Sequence, residues 1–195
     1  MRLAFIRCVA ALIVALGTCG VGCEGEDDVA CVGEDHRPEA PANGNACHEA
    51  LTLKVRADEC TSGLFDQQAN QGINGRNATL AAYYVLADYA TADELAQCEL
   101  DADLYRDRIA DPDCAEPSTH CGPAPDTDNA CHDYYAAMAD YRLRCDPETF
   151  TADGMGGHPA FLESWMARAD FASAEEQENP CTSGIDFWQG DCLDQ

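Results

Sequence analysis

The segment Asn45-Ala46-Cys47-His48-Glu49 returns 84 residues later as Asn129-Ala130-Cys131-His132-Asp133. Gly72-Ile73-Asn74-Gly75-Arg76-Asn77-Ala78-Thr79-Leu80 returns as Gly154-Met155-Gly156-Gly157-His158-Pro159-Ala160-Phe161-Leu162. Ala87-Asp88-Tyr89-Ala90-Thr91-Ala92-Asp93-Glu94 returns as Ala169-Asp170-Phe171-Ala172-Ser173-Ala174-Glu175-Glu176. Four cysteines follow the same shift: Cys31, Cys47, Cys60 and Cys98 map onto Cys114, Cys131, Cys145 and Cys181, and every offset lies between 82 and 85. One such match can arise by chance between Ala- and Asp-rich helices, but not a set in register. The chain is therefore expected to be an internal duplication, each copy one supersecondary unit. The first unit spans 31–111 and the second 112–195.

A unit of this size buries too little apolar surface to be secure alone, so it needs covalent staples. The 13 cysteines supply them in an oxidising compartment. Cys47 and Cys60 sit at opposite ends of one predicted helix, about 20 Å apart at 1.5 Å per residue, beyond the reach of a disulfide. If the second helix returns antiparallel to the first, Cys98 meets Cys47 and Cys31 is left for Cys60. By repetition Cys181 meets Cys131 and Cys114 meets Cys145. Cys121 and Cys192 have no counterpart in the first copy and are expected to pair with each other.

The pattern predicts a mostly α fold with about three helices per unit. Asn45 and Asn129 stand at N-cap positions, with Glu49 and Asp133 in the first turn, where a helix favours negative charge. The first helix runs to about Cys60, or Cys145, with an inner face of Cys131, Tyr134, Met138, Tyr141 and Cys145 in the second copy. The second starts near Ala78, and near Pro159, a favoured first helical residue. Its inner stripe reads Leu80, Tyr83, Tyr84 and Ala87, matched by Leu162, Trp165, Met166 and Ala169. Thr91 with Glu94, and Ser173 with Glu176, have capping-box spacing. They open a third helix that runs toward Ile109 in the first copy and is cut short by Pro180 in the second. Asp111 to Asp128 reads as a linker.

Residues 1–22 read as an export signal, with Arg2 and Arg7 ahead of an apolar run from Cys8 to Gly17 that is too short to span a bilayer. Leu16-Gly17-Thr18-Cys19 and Gly20-Val21-Gly22-Cys23 both resemble the bacterial lipobox. Cleavage before Cys23 leaves ten further cysteines, an even number, whereas cleavage before Cys19 leaves one orphan thiol. Cys23 is thus the preferred lipidation site and Cys19 the alternative, with residues 23–30 an acidic tether; a plain secretory signal cut after Gly17 also leaves an even number. In signal, tether and cysteine density the chain resembles cysteine-rich bacterial lipoproteins, a resemblance that implies a place outside the cytoplasm, in the cell envelope or secreted, and carries no activity.

The formal charge of −25 grows more negative by two when Arg2 and Arg7 are removed. A surface so acidic repels phosphate backbones and anionic lipid heads. Nucleic acid is excluded as a partner, membrane contact is expected only through an N-terminal lipid, and the partner is a protein or cationic surface ligand. His48 and His132 each adjoin a cysteine, but zinc-ligating cysteines usually come as close pairs, which the chain lacks. The cysteines read as bridges, the histidines as first-turn residues, and no metal or other cofactor is expected. Asp126-Thr127-Asp128 opens like a calcium loop without the glycine at position six or the glutamate at twelve.

Cys121-Gly122-Pro123-Ala124-Pro125-Asp126 followed by Ala130-Cys131-His132-Asp133-Tyr134-Tyr135 resembles the secreted phospholipase A2 family of bacteria and fungi over about fifteen residues. The resemblance implies His132 as general base and Asp133 as a Ca²⁺ ligand. His48-Glu49 at the equivalent place favours a repeated structural helix start. The leading expectation is a non-catalytic, lipid-anchored binding or structural module; the alternative is a Ca²⁺-dependent hydrolase of phospholipase A2 type.

Overall fold

The computed structural model describes residues 36–62, 72–114 and 123–192. The export signal, Cys19, Cys23, the tether, Cys31 and Cys121 lie outside those residues. The described chain is mostly helical, with no β-strand among the described residues; one bridge, Thr151 to Gly157, closes a loop. No helix among the described residues is long and apolar enough to cross a membrane.

Helix α1 (Ala46–Ser62) begins where Asn45 Oδ1 accepts the Cys47 amide at 2.9 Å. A short 3-10 turn at Gly72–Asn74 leads into α2 (Arg76–Asp88). Helix α3 (Ala92–Ile109) opens on a complete Thr91–Glu94 capping box and carries Arg106 and Arg108 in its last turn, where the helix dipole favours cations. In the second half, α4 (Ala130–Cys145) is capped by Asn129, and α5 (His158–Ala169) carries proline in its first turn. Helix α6 (Ala174–Glu176) opens on a Ser173–Glu176 capping box and α7 covers Ser183–Gln189.

The disulfides fix the directions. Cys47–Cys98 and Cys60–Cys114 join α1 to α3 and its extension in the same order along both segments, so α3 runs parallel to α1. Cys131–Cys181 and Cys145–Cys192 hold the 181–192 segment parallel to α4 in the same way. Each half is thus an up-down-up arrangement whose first and third segments are stapled at both ends. Cys47, Cys131 and Cys181 are fully buried, so the Cys47–Cys98 and Cys131–Cys181 bridges are part of the packing.

Three expected pairings are corrected here. Cys60 bonds Cys114, not Cys31; Cys145 bonds Cys192, not Cys114; and Cys192 is therefore unavailable to Cys121. The reason is the length of α3. Its 18 residues carry the chain about 27 Å at 1.5 Å per residue, which delivers Cys114 to the far end of α1. Cys114 thus occupies the position that Cys192 occupies in the second half, although the sequence offset aligns it with Cys31.

The third segment of the second half also departs from expectation. The helix is interrupted before Pro180, as expected, but the segment continues beyond it. The stretch Gln177–Thr182 is loosely wound and non-helical at Asn179, the Asn179–Pro180 peptide is cis, and α7 then resumes along α4. The inner face of α4 is Cys131, Tyr135, Met138 and Ala139, rather than one built on Tyr134 and Tyr141. In α5 the buried positions are Ala160, Ser164 and Ala169; Leu162, Trp165 and Met166 are half-exposed. The stripe of α2 is closer to expectation, with Leu80, Tyr84 and Ala87 buried. The shift in α5 has a cause in packing: α2 and α5 lie closely on each other, so their small residues (Ala82, Ala160, Ser164) go inside.

The two cores trade one residue each. The second-half core of Tyr135, Met138, Ala169 and Ala172 includes Ile73 from the first half. The first-half core around Ala50, Ala87 and Ala102 is covered by Met155 from the second.

Candidate functional site

Both first-turn histidines sit in the same joint. Asn45 Nδ2 donates to the Ala87 carbonyl at 2.7 Å while its Oδ1 caps α1, so one side chain ties the start of α1 to the end of α2. Asn129 repeats this with the Ala169 carbonyl at 2.8 Å and the Cys131 amide at 2.9 Å. His48 Nε2 stands 3.0 Å from the Asp88 carboxylate and His132 Nε2 2.9 Å from that of Asp170. His48 is buried, and its Nδ1 lies 3.1 Å from both the backbone nitrogen and the Oδ1 of Asn45. His132 is the more open of the two, with 18 % of its side chain exposed.

The capping glutamates link the halves. The Glu94 carboxylate accepts the Thr91 amide at 2.8 Å and, from the other half, the Met155 amide at 3.1 Å. The Glu176 carboxylate accepts the Ser173 amide at 2.8 Å and the Ile73 amide at 3.2 Å. Each loop arrives on a left-handed glycine, Gly154 at φ +77° and Gly72 at φ +66°, and a Cβ on either would collide with the carboxylate it approaches. Burial alone would raise the Glu94 carboxyl; the hydrogen bonds from Thr91 and Met155 outweigh it and hold the group below its ordinary value of 4.5. Arg168 adds a bond from Nη1 to the Ile73 carbonyl at 3.0 Å.

Of the residues proposed from sequence, His132 is engaged by Asp170, and Asp133 is exposed on the first turn of α4. No group of three or more His, Cys, Asp or Glu side chains is placed to hold a metal ion among the described residues. The Asp126 carboxylate accepts the Asp128 amide at 3.1 Å, a local turn that leads into the Asn129 cap. All eight described disulfide cysteines, Cys47, Cys60, Cys98, Cys114, Cys131, Cys145, Cys181 and Cys192, are bonded. The second role of Glu94 and Glu176 was missed in the sequence. Its signal was present: an apolar residue, Ile73 or Met155, directly follows a glycine at matching places in otherwise polar loops.

Two surface features stand out, one on the second half and one between the halves. Tyr141, Phe187 and Trp188 form an aromatic cluster on α4 and α7, with Phe187 55 % exposed. An aromatic cavity of about 280 Å³ lies between α2, the loop at 149–156 and α5, with Phe150, Phe161 and Trp165 in its wall. Comparison with protein-family models, curated proteins and solved structures gave no match.

Proposed function

We propose that the protein is an exported, non-catalytic binding module, lipid-anchored through Cys23, with a rigid helical body built from a duplicated unit. The disulfides are compatible with an extracellular cysteine-rich protein and with an oxidising compartment. The observation that carries the reading is the recurrence of the histidine joint. His48–Asp88 and His132–Asp170 hold equivalent helix ends together with the same partners, which is what a structural element does when a unit is used twice. The matched staples and traded core residues support the duplication. The half-exposed aromatics on the second half supply a binding face, and the chain's charge favours a protein or ligand with a cationic surface.

The intact mass of the protein from its native membrane fraction, with and without reduction before alkylation, tests this. The expected result is an acylated chain beginning at Cys23 with no thiol reactive before reduction. A free thiol or an unacylated N-terminus contradicts it.

A second reading, hydrolysis with His132 as general base, draws on one observation. Asp170 at 2.9 Å from Nε2 could orient that ring as carboxylates orient catalytic histidines. It predicts Ca²⁺-dependent phospholipid hydrolysis abolished by His132→Ala and untouched by His48→Ala. The binding-module reading predicts no such activity in any of the three proteins.

A further inference from the structure

Charge pairing is extensive among the described residues, and two arginines stand outside it. With 36 acidic and 11 basic residues, carboxylates are plentiful. Lys54, Arg56, Arg76, Arg106, Arg108 and Arg144 each have one within ion-pair distance. Arg142 and Arg168 have none among the described residues. Each lies instead over an aromatic ring: Arg168 is 5.3 Å from the centroid of Trp165, and Arg142 is 5.5 Å from that of Phe161. Both rings wall the same cavity, and Arg168 itself lines it.

The rest of the wall is apolar or already committed. Leu86, Phe150 and Met155 complete the apolar surface, and no acidic residue lines it. The Ser164 hydroxyl donates to the Phe161 carbonyl at 2.8 Å and that of Thr149 to Asp146. The Arg168 guanidinium is therefore the charged donor in the wall, and it gives the Ile73 carbonyl only one of its five N–H groups; Arg142 lies over the Phe161 ring, outside the lining itself. Burial lowers the Arg168 guanidinium from its ordinary value, as befits a cation with no carboxylate beside it.

We propose that this cavity binds a small organic anion with an apolar body, an aryl carboxylate in chemical class. Its carboxylate would be met by Arg168, with Arg142 as the second positive charge, and its body would lie against Phe150, Phe161 and Trp165. A guanidinium fork matches a carboxylate in geometry, and flat rings suit an aryl group. The volume lies at the lower edge of ligand cavities, about 300–1,000 Å³, which restricts the ligand to one ring with a short side chain. The net charge of −25 repels anions at long range, so a site of this sign needs arginines kept clear of carboxylates. The inference rests on the reading of the protein as a binding module and names a ligand class for it.

Calorimetric titration of the oxidised protein with 3-phenylpropionate, 3-phenylpropanol and 3-phenylpropylamine tests it. The acid is expected to saturate one site, the alcohol to bind at least about tenfold more weakly, and the amine not to bind. Arg168→Gln is expected to bring the acid down to the affinity of the alcohol. Arg142→Gln, on the more open α4, is expected to weaken the acid several-fold, and Arg144→Gln to leave it unchanged. Equal binding of acid and alcohol, or no saturation by the acid up to about 10 mM, overturns the proposal. The ligand series on the unmodified protein decides the matter even if Arg168→Gln fails to fold. Such a failure leaves the exported-module reading intact, because that reading is tested by mass and acylation.

Discussion

The Glu176 carboxylate accepts the amide of Ile73 from 103 residues away, at 3.2 Å, while the Ile73 side chain lies in the core of the half to which Glu176 belongs. Glu94 and Met155 repeat the relationship in the opposite direction. Each glutamate therefore does two jobs, capping its own third segment and holding the other half's loop.

Removing either glutamate is expected to cost both jobs at once. A lost cap is worth about 0.5–2 kcal/mol, and a hydrogen bond to a charged group about 1.5–3 kcal/mol. Glu94→Ala and Glu176→Ala should each lower the unfolding free energy of the oxidised protein by roughly 2–5 kcal/mol. Denaturant titration followed by circular dichroism measures it, and a loss below about 0.5 kcal/mol, the range of ordinary surface substitutions, would show that the bonds contribute nothing.

The same geometry sets a pH dependence. The folded Glu94 carboxyl is held below its ordinary value of 4.5, so its contribution is fully present above that value. The contribution is lost as pH falls below 4.5 and through the folded value. Stability measured between neutral and acid pH should fall in this window, and less steeply in Glu94→Gln. An identical slope in the two proteins would contradict the assignment.

Gly72→Ala and Gly154→Ala are expected to destabilise by more than about 1 kcal/mol each, since both the left-handed backbone and the space are denied to a Cβ. Gly190→Ala is the control. Its backbone is extended and only ordinary contacts await a Cβ, so little change in melting temperature is expected there.

Peptide mapping under non-reducing conditions should recover Cys47–Cys98, Cys60–Cys114, Cys131–Cys181 and Cys145–Cys192. Replacing Cys131 and Cys181 together by alanine is expected to cost about 2–5 kcal/mol. Recovery of a Cys31–Cys60 or Cys114–Cys145 peptide would overturn the topology.

Much of this was legible in the sequence because it is local. Asn45 and Asn129, the two capping boxes and the proline that opens α5 act within a turn of where they stand, and the structure places each as expected. Cys47–Cys98 and Cys131–Cys181 followed from helix length and an antiparallel return. What failed depended on distances between segments. The run of α3 past Cys98 decides where Cys114 lands, and sequence offset aligned that cysteine with the wrong partner. The close packing of α2 on α5 decides that Ser164 is buried and Trp165 half-exposed, against the apolar pattern. The trading of Ile73 and Met155 between cores is a property of the assembled halves, and helical periodicity does not encode it. That Arg142 and Arg168 form no ion pair among the described residues, and lie over Phe161 and Trp165 instead, also arises from how the helices pack.

Hydrogen–deuterium exchange at the amides of Ile73 and Met155 tests the reciprocal clasp most directly. In the unmodified oxidised protein both should be protected. Glu176→Ala should speed exchange at Ile73 while leaving Met155 slow, and Glu94→Ala should do the reverse. Unprotected amides in the unmodified protein, or an Ile73 rate indifferent to Glu176, would contradict the account.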